Sequence, residues 1–180
     1  MSATLRLFAA LSIRPDISAQ LLSLQTNVPG AIWCTEVQLH LTLAHFGRVD
    51  SDIAADLDIK LADLRARQMK MSVKGTGWFG RKEPRSLWAG VAASAELQHL
   101  SSACIQAARR LSIPMVRQRF RPHITLAYCH QTSLGDAEAF TAAHSRFSTS
   151  EFWVDRFHLY SSHLGKGSSQ YRIEADYPLY

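Results

Sequence analysis

Two short segments carry the residue types best suited to chemistry. His40-Leu41-Thr42-Leu43-Ala44-His45-Phe46 and His123-Ile124-Thr125-Leu126-Ala127-Tyr128-Cys129 repeat one pattern 83 residues apart. In an extended strand, side chains i and i+2 point the same way. His40 and Thr42 therefore share one face, with Leu39, Leu41 and Leu43 on the other. His123 and Thr125 share a face in the second copy, with Ile124 and Leu126 behind them. Each strand offers an imidazole and a hydroxyl about 7 Å apart on its front and an oily back for the core.

Histidine is the side chain whose unperturbed pKa lies near neutrality. Two of them can hold opposite protonation states at one pH. One then takes a proton from water while the other gives a proton to a departing alkoxide. Threonine hydroxyls suit the non-bridging oxygens of a phosphate. Nothing in such a set requires a metal, because a strained cyclic phosphodiester already has a good geometry for in-line attack. A single His-x-Thr is weak grounds for a site; two copies in near-identical apolar strands are much stronger.

The rest of the chain must bring these strands together. Its 180 residues are enough for one domain with a substantial core. A strand is expected over 4–11 and a helix from Pro15, where Ile17, Leu21, Leu24 and Val28 recur until Pro29-Gly30. Further strands are expected at 37–46, 69–78, 86–93, 120–128, 151–161 and 169–177. Helices are expected at 51–66, from Ser94 as N-cap through Leu111, and at 134–146. The 83-residue spacing is too wide for a solenoid repeat and suggests two related lobes, each giving one strand to a shared cleft.

Composition excludes several classes. No apolar run approaches the roughly 20 residues of a membrane helix, so no membrane partner is expected. The N-terminal MSATLRLFAALSIRP lacks the order of a secretory signal. Cys34, Cys104 and Cys129 are odd in number and far apart, against a disulfide framework or thiolate zinc site; a reducing, cytoplasmic setting is expected. The formal charge of +5 and pI near 9.4 favour a polyanionic partner only slightly.

HLTLAHFG at 40–47 and PHITLA at 122–127 resemble the paired HxTx motifs of the 2H phosphoesterases. Within that superfamily the chain is most similar to the RNA 2′,3′-cyclic phosphodiesterases, also called 2′-5′ RNA ligases. RLFAAL at 6–11, LWAGV at 87–91 and FHLYSSHLGKGSSQYRI at 157–173 resemble the family's first, central and closing strands. The resemblance implies an α+β fold in one domain over 1–180: two pseudo-symmetric lobes, two antiparallel sheets around a central cleft, helices outside. It implies His40 as general acid toward the O3′ leaving group and His123 as general base toward water. Thr42 and Thr125 would hold the phosphate. The partner would be RNA with a 2′,3′-cyclic phosphate end, the product a 2′-phosphate, and the reverse reaction a 2′-5′ ligation. No cofactor or metal is implied, and a monomer is expected.

Two positions depart from the family pattern. Tyr128 stands where the family often has a phosphate-clamping arginine. Losing that cation weakens transition-state stabilisation by a few kcal/mol unless another replaces it. Arg119 and Arg121 are the candidates, on the face of His123 if the strand runs straight, or else rim residues that attract RNA; His130 is a third. His45 stands where a base-stacking phenylalanine is common, which puts base affinity in question. Trp78, Phe79 and the Lys82–Arg85 turn could form a base-and-phosphate rim beside the cleft, but a hairpin with an ordinary hydrophobic anchor is the preferred reading. Trp88 reads as core. Ser161, Ser162 and Gly165-Lys166-Gly167 border the site by resemblance. Two rivals stay open: a 2H enzyme for small cyclic nucleotides or 2′-5′ oligonucleotides, and a catalytically weak RNA-binding module.

Overall fold

The computed structural model describes residues 4–165 and 169–180. In chain order the elements are β1 (Thr4–Ser12), α1 (Pro15–Leu22), β2 (Ala31–Trp33), β3 (His40–Asp50), α2 (Ser51–Ala62), β4 (Met69–Met71), β5 (Val73–Gly80) and β6 (Pro84–Val91). They continue with α3 (Ala95–Arg110), β7 (His123–Cys129), α4 (Leu134–Ala143), β8 (Phe152–Val154), β9 (Arg156–Leu164) and β10 (Ser169–Pro178). Eight strands form one antiparallel sheet in the order β10-β9-β1-β3-β7-β6-β5, with β2 paired to β7, and β4 and β8 form a second, small sheet.

The large sheet is pinched at its centre. β3 and β7 meet through a single residue pair, Leu41 with Ile124. On one side lie β1, β9 and β10; on the other lie β2, β5 and β6. Leu41 and Ile124 are fully buried, and Leu39, Leu43 and Leu126 are nearly so. The oily back of each histidine strand thus lies in the core. The helices cover that back: α2 and α3 pack beneath β3, and α4 packs against β5 and β6.

α3 is capped as its sequence suggests, with Ser94 Oγ accepting from the Leu97 N–H at 3.1 Å. Its stripe of Leu97, Leu100, Cys104 and Ala107 is buried. α1 is shorter than the periodicity predicts. It ends at Leu22, yet Leu24 stays buried and Val28 packs on the core because the chain turns back beneath it. There Gln25 Nε2 donates to Cys34 O and Trp33 Nε1 donates to Thr26 O. The expected strand 69–78 is two strands that part at Ser72: β4 leaves the large sheet to pair with β8, while β5 stays. The expected strand at 120–128 starts only at His123, so residues 119–122 run as irregular chain.

Candidate active site

The pinch sets the geometry of the two motifs. With Leu41 opposite Ile124, the antiparallel register sets His40 toward Thr125 and Thr42 toward His123. The imidazoles therefore occupy opposite corners of a four-residue quartet, related by a local twofold through the Leu41–Ile124 pair. Diagonal neighbours across an antiparallel pair are about 7–8 Å apart. No further β3–β7 pair forms, so the ladder at the pinch is one residue pair long. All four side chains line one cleft of about 890 Å³.

Each ring is aimed in the same way. His40 Nδ1 lies 2.7 Å from Gln38 O, and His123 Nδ1 lies 2.6 Å from Arg121 O. A carbonyl can only accept, so each Nδ1 carries the hydrogen. Each Nε2 is left as the working atom, an acceptor when the ring is neutral. Gln38 is itself pinned: Thr35 N donates to its Oε1 at 2.9 Å, and its Nε2 donates to Ser169 O at 2.9 Å. The carbonyl that aims His40 is thus tied to β10.

Aromatic rings support both histidines from the side. Phe8 lies 5.0 Å from His40, and Tyr171 meets it edge-on at 5.1 Å. Phe79 meets His123 edge-on at 4.8 Å and leans on Trp88 at 5.2 Å. This apolar setting disfavours charge. Burial brings His40 down to about 4, opposed by the Gln38 bond and helped by His45 and His123. Burial lowers His123 as well, and the bond to Arg121 opposes it. With protein groups alone, both rings are neutral at pH 7.

His45 reaches the cleft by a route strict alternation does not allow. Counting from His40, it should point backward. A register shift lies between Ala9 and Ala10: Ala10 pairs with Thr42, but Ala9 pairs with Ala44. β3 bulges there by one residue. His45 emerges on the front opposite Phe8, at 5.6 Å ring to ring, and lines the cleft. Ser101, buried on α3, donates to the Leu43 carbonyl at 2.7 Å at the bulge. Partial burial, then Arg6, then His123 lower the pKa of His45.

The other expected residues sort as follows. Arg119 and Arg121 both line the cleft, though from irregular chain and not from a straight strand. Tyr128 lines it too, its hydroxyl 3.5 Å from that of Tyr171. Burial and then the Tyr171 hydroxyl raise the Tyr128 pKa, so its phenol stays neutral. His130 is exposed and outside the lining, with its N–H donating to Gly30 O. Phe79 lines the cleft, whereas Trp78 packs on the core and the 82–85 turn stays outside the lining. Trp88 is half-buried behind Phe79. Ser162 lines the cleft; Ser161 is buried and bonded to Glu174 and His163. Lys166 and Gly167 lie outside the described residues.

Sequence reasoning missed Arg6, Phe8 and Tyr171, all of which line the cleft. Arg6 and Phe8 carried a readable signal, since an arginine interrupting an apolar strand two residues before a phenylalanine puts both on one face. Tyr171 carried none, because only the β9–β10 pairing brings it over His40.

A family model described as 2′-5′ RNA ligase superfamily matches residues 15–166, which include both motifs. A Thermotoga maritima protein named RNA 2′,3′-cyclic phosphodiesterase is 29% identical over 178 residues, covering 94% of this chain and 92% of that protein. An Aeropyrum pernix protein of the same name is 32% identical over 90 residues; the match covers 49% of this chain and 51% of that protein, about half its length. The fold of Escherichia coli LigT, crystallised with 3′-AMP, superposes with a TM-score of 0.82 at 22% identity, covering 98% of this chain and 99% of that one. A match over most of the chain, both motifs included, places it: this protein belongs to the 2′-5′ RNA ligase superfamily.

Proposed function

We propose that the protein opens 2′,3′-cyclic phosphates on RNA ends to leave a 2′-phosphate, by proton transfer between water, His123, His40 and the O3′ leaving group. The observation that carries this reading is the diagonal pair of imidazoles, both held by Nδ1 so that Nε2 is the working atom. A cyclic phosphodiester seated between Thr42 and Thr125 would meet one Nε2 on each side. His123 Nε2 takes a proton from the attacking water as the new P–O bond forms. His40 Nε2 gives a proton to O3′ as the P–O3′ bond breaks. With a ribose 5′-hydroxyl attacking in place of water, the same pair forms a P–O5′ bond as P–O3′ breaks and so makes a 2′-5′ linkage; run backward, O3′ attacks phosphorus, the 5′-hydroxyl leaves and the cyclic phosphate closes again.

The neutral resting state of both rings has a consequence. His40 needs a proton before it can act as an acid, and the substrate's anionic phosphate is what supplies the driving force. Arg119 and Arg121 take over the charge the family places at position 128, while Tyr128 contributes a neutral hydroxyl. His45 contacts the base with a smaller ring than phenylalanine. The chain acts as one domain, its two lobes meeting at the Leu41–Ile124 pair. The relatives named RNA 2′,3′-cyclic phosphodiesterase support the choice of substrate.

Each positioned proton-transfer group contributes on the order of 10²–10⁴ in rate. His40→Ala and His123→Ala should each lose about that much turnover of a 2′,3′-cyclic-phosphate oligonucleotide, with activity retained in chelator. Full activity in both variants would refute the proposal. Binding of the oligonucleotide by the parent protein without turnover would instead favour an RNA-binding module.

A further inference from the structure

The protein's charge is not spread over its surface. From Leu97 to Gly135 the sequence holds Arg109, Arg110, Arg117, Arg119 and Arg121 and no Asp, Glu or Lys. Removing those five from the 20 Lys+Arg leaves 15, equal to the 15 Asp+Glu of the whole chain. The entire formal excess of +5 thus sits in one stretch of 39 residues. All five arginines are exposed, and none ion-pairs with a carboxylate in the described residues.

The fold gives that stretch a shape. A groove of about 360 Å³ runs between the end of α3 and the following chain, with Arg109 on one bank and Val116 and Arg117 on the other. Gln118 and Arg119 line both this groove and the cleft of the two histidines. The groove therefore adjoins the cleft along that shared wall. Val116 is 80% exposed, an apolar contact between the cations.

We infer that this groove is the path of a single-stranded RNA, carrying the nucleotides 5′ of the terminal one whose cyclic phosphate lies between His40 and His123. This rests on the proposed function. A 2′,3′-cyclic phosphate closes the 3′ end, so the remaining chain can only leave the cleft in its 5′ direction. An exit lined by unpaired arginines, whose forks bind phosphate oxygens in pairs, suits successive internucleotide phosphates. The protein then selects oligonucleotides over mononucleotides by contacts made away from the reacting phosphorus.

The test compares a nucleoside 2′,3′-cyclic monophosphate with a short single-stranded oligoribonucleotide ending in the same cyclic nucleotide. The variant is the double substitution Arg109→Gln and Arg117→Gln, both outside the cleft. Each phosphate contact to a single strand contributes about −0.7 to the slope of log K against log salt. Two lost contacts should flatten the oligonucleotide's salt dependence by about 1.4 and lower its kcat/KM on the order of tenfold at low salt. Turnover of the mononucleotide should stay within about twofold, which also reports that the variant is folded. Equal kcat/KM for the two substrates in the parent protein, or equal losses on both in the variant, would overturn the inference. If the parent protein turns over neither substrate, the catalytic reading fails first. Anisotropy of a labelled oligonucleotide then decides the groove alone: weakening by about tenfold in the variant supports it, and unchanged binding refutes it.

Discussion

An anion in the cleft should recharge His40. Burial holds this ring near 4 against an ordinary value near 6.5. At 1.36 kcal/mol per pH unit, the cost of charging it is about 3 kcal/mol. An anion about 4 Å away at an effective dielectric of about 20 returns roughly 4 kcal/mol. The two nearly cancel, so a bound oxyanion should lift His40 by about 2 units or more. Sulfate is a suitable probe, since it copies phosphate geometry and does not itself titrate in this range. The assay is the ring resonance of His40 followed by NMR against pH, with saturating sulfate and with chloride at matched ionic strength. The midpoint should rise from near 4 toward neutrality with sulfate alone. A midpoint unmoved by sulfate would mean that the bound anion does not charge His40, and one already near 6.5 in chloride would mean that burial does not hold the ring neutral. The same depression has a stability consequence. Because the folded pKa lies below the unfolded one, the unfolded chain takes the proton first as pH falls. Up to about 3 kcal/mol of stability should be lost between pH 6.5 and 4, and less if solvent reaches the ring.

Other outcomes follow from particular contacts. The kcat/KM profile should be bell-shaped with its optimum below pH 6.5, because both free histidines are lowered; kcat should peak at a higher pH, since bound substrate raises His40, and coincident optima would count against the scheme. Ser101→Ala leaves the buried Leu43 carbonyl without its partner and should cost about 1–3 kcal/mol in denaturant unfolding. Gly77→Ala would place a methyl 2.3 Å from the Trp88 ring, displacing the pair that backs His123; a loss of about 1–3 kcal/mol and a fall in turnover are expected. Tyr128→Phe should cost less than about tenfold in kcat/KM, since Arg119 and Arg121 line the same cleft; a loss of hundredfold or more would mean the phenol carries the phosphate.

Much of this site was legible because it depends on period two. Leu41, Leu43, Ile124 and Leu126 alternate with His40, Thr42, His123 and Thr125, and burial follows that alternation. What was not legible depends on partners distant in sequence. The bulge that turns His45 forward arises from the mismatch between β1 and β3 and is met by a serine 58 residues away. Met69–Met71 leave the large sheet because β8 offers an edge, which their own sequence does not show. Arg119 and Arg121 arrived at the expected cleft by an unexpected path, since two residues of irregular chain can share an opening without sharing a strand face. α1 stopped early because its last apolar positions are filled from a turn, and a turn can satisfy helical spacing by coincidence.

Proton transfer to O3′ by His40 and from water by His123 dictates which hydroxyl keeps the phosphate. A 2′,3′-cyclic-phosphate oligonucleotide is incubated with the protein in EDTA, and the phosphate position on the opened ribose is read by NMR or by a 3′-phosphate-specific phosphatase. The expected product is a 2′-phosphate beside a free 3′-hydroxyl, formed by the parent protein and lost in His40→Ala and His123→Ala. A 3′-phosphate, or an intact ring after long incubation, would contradict it.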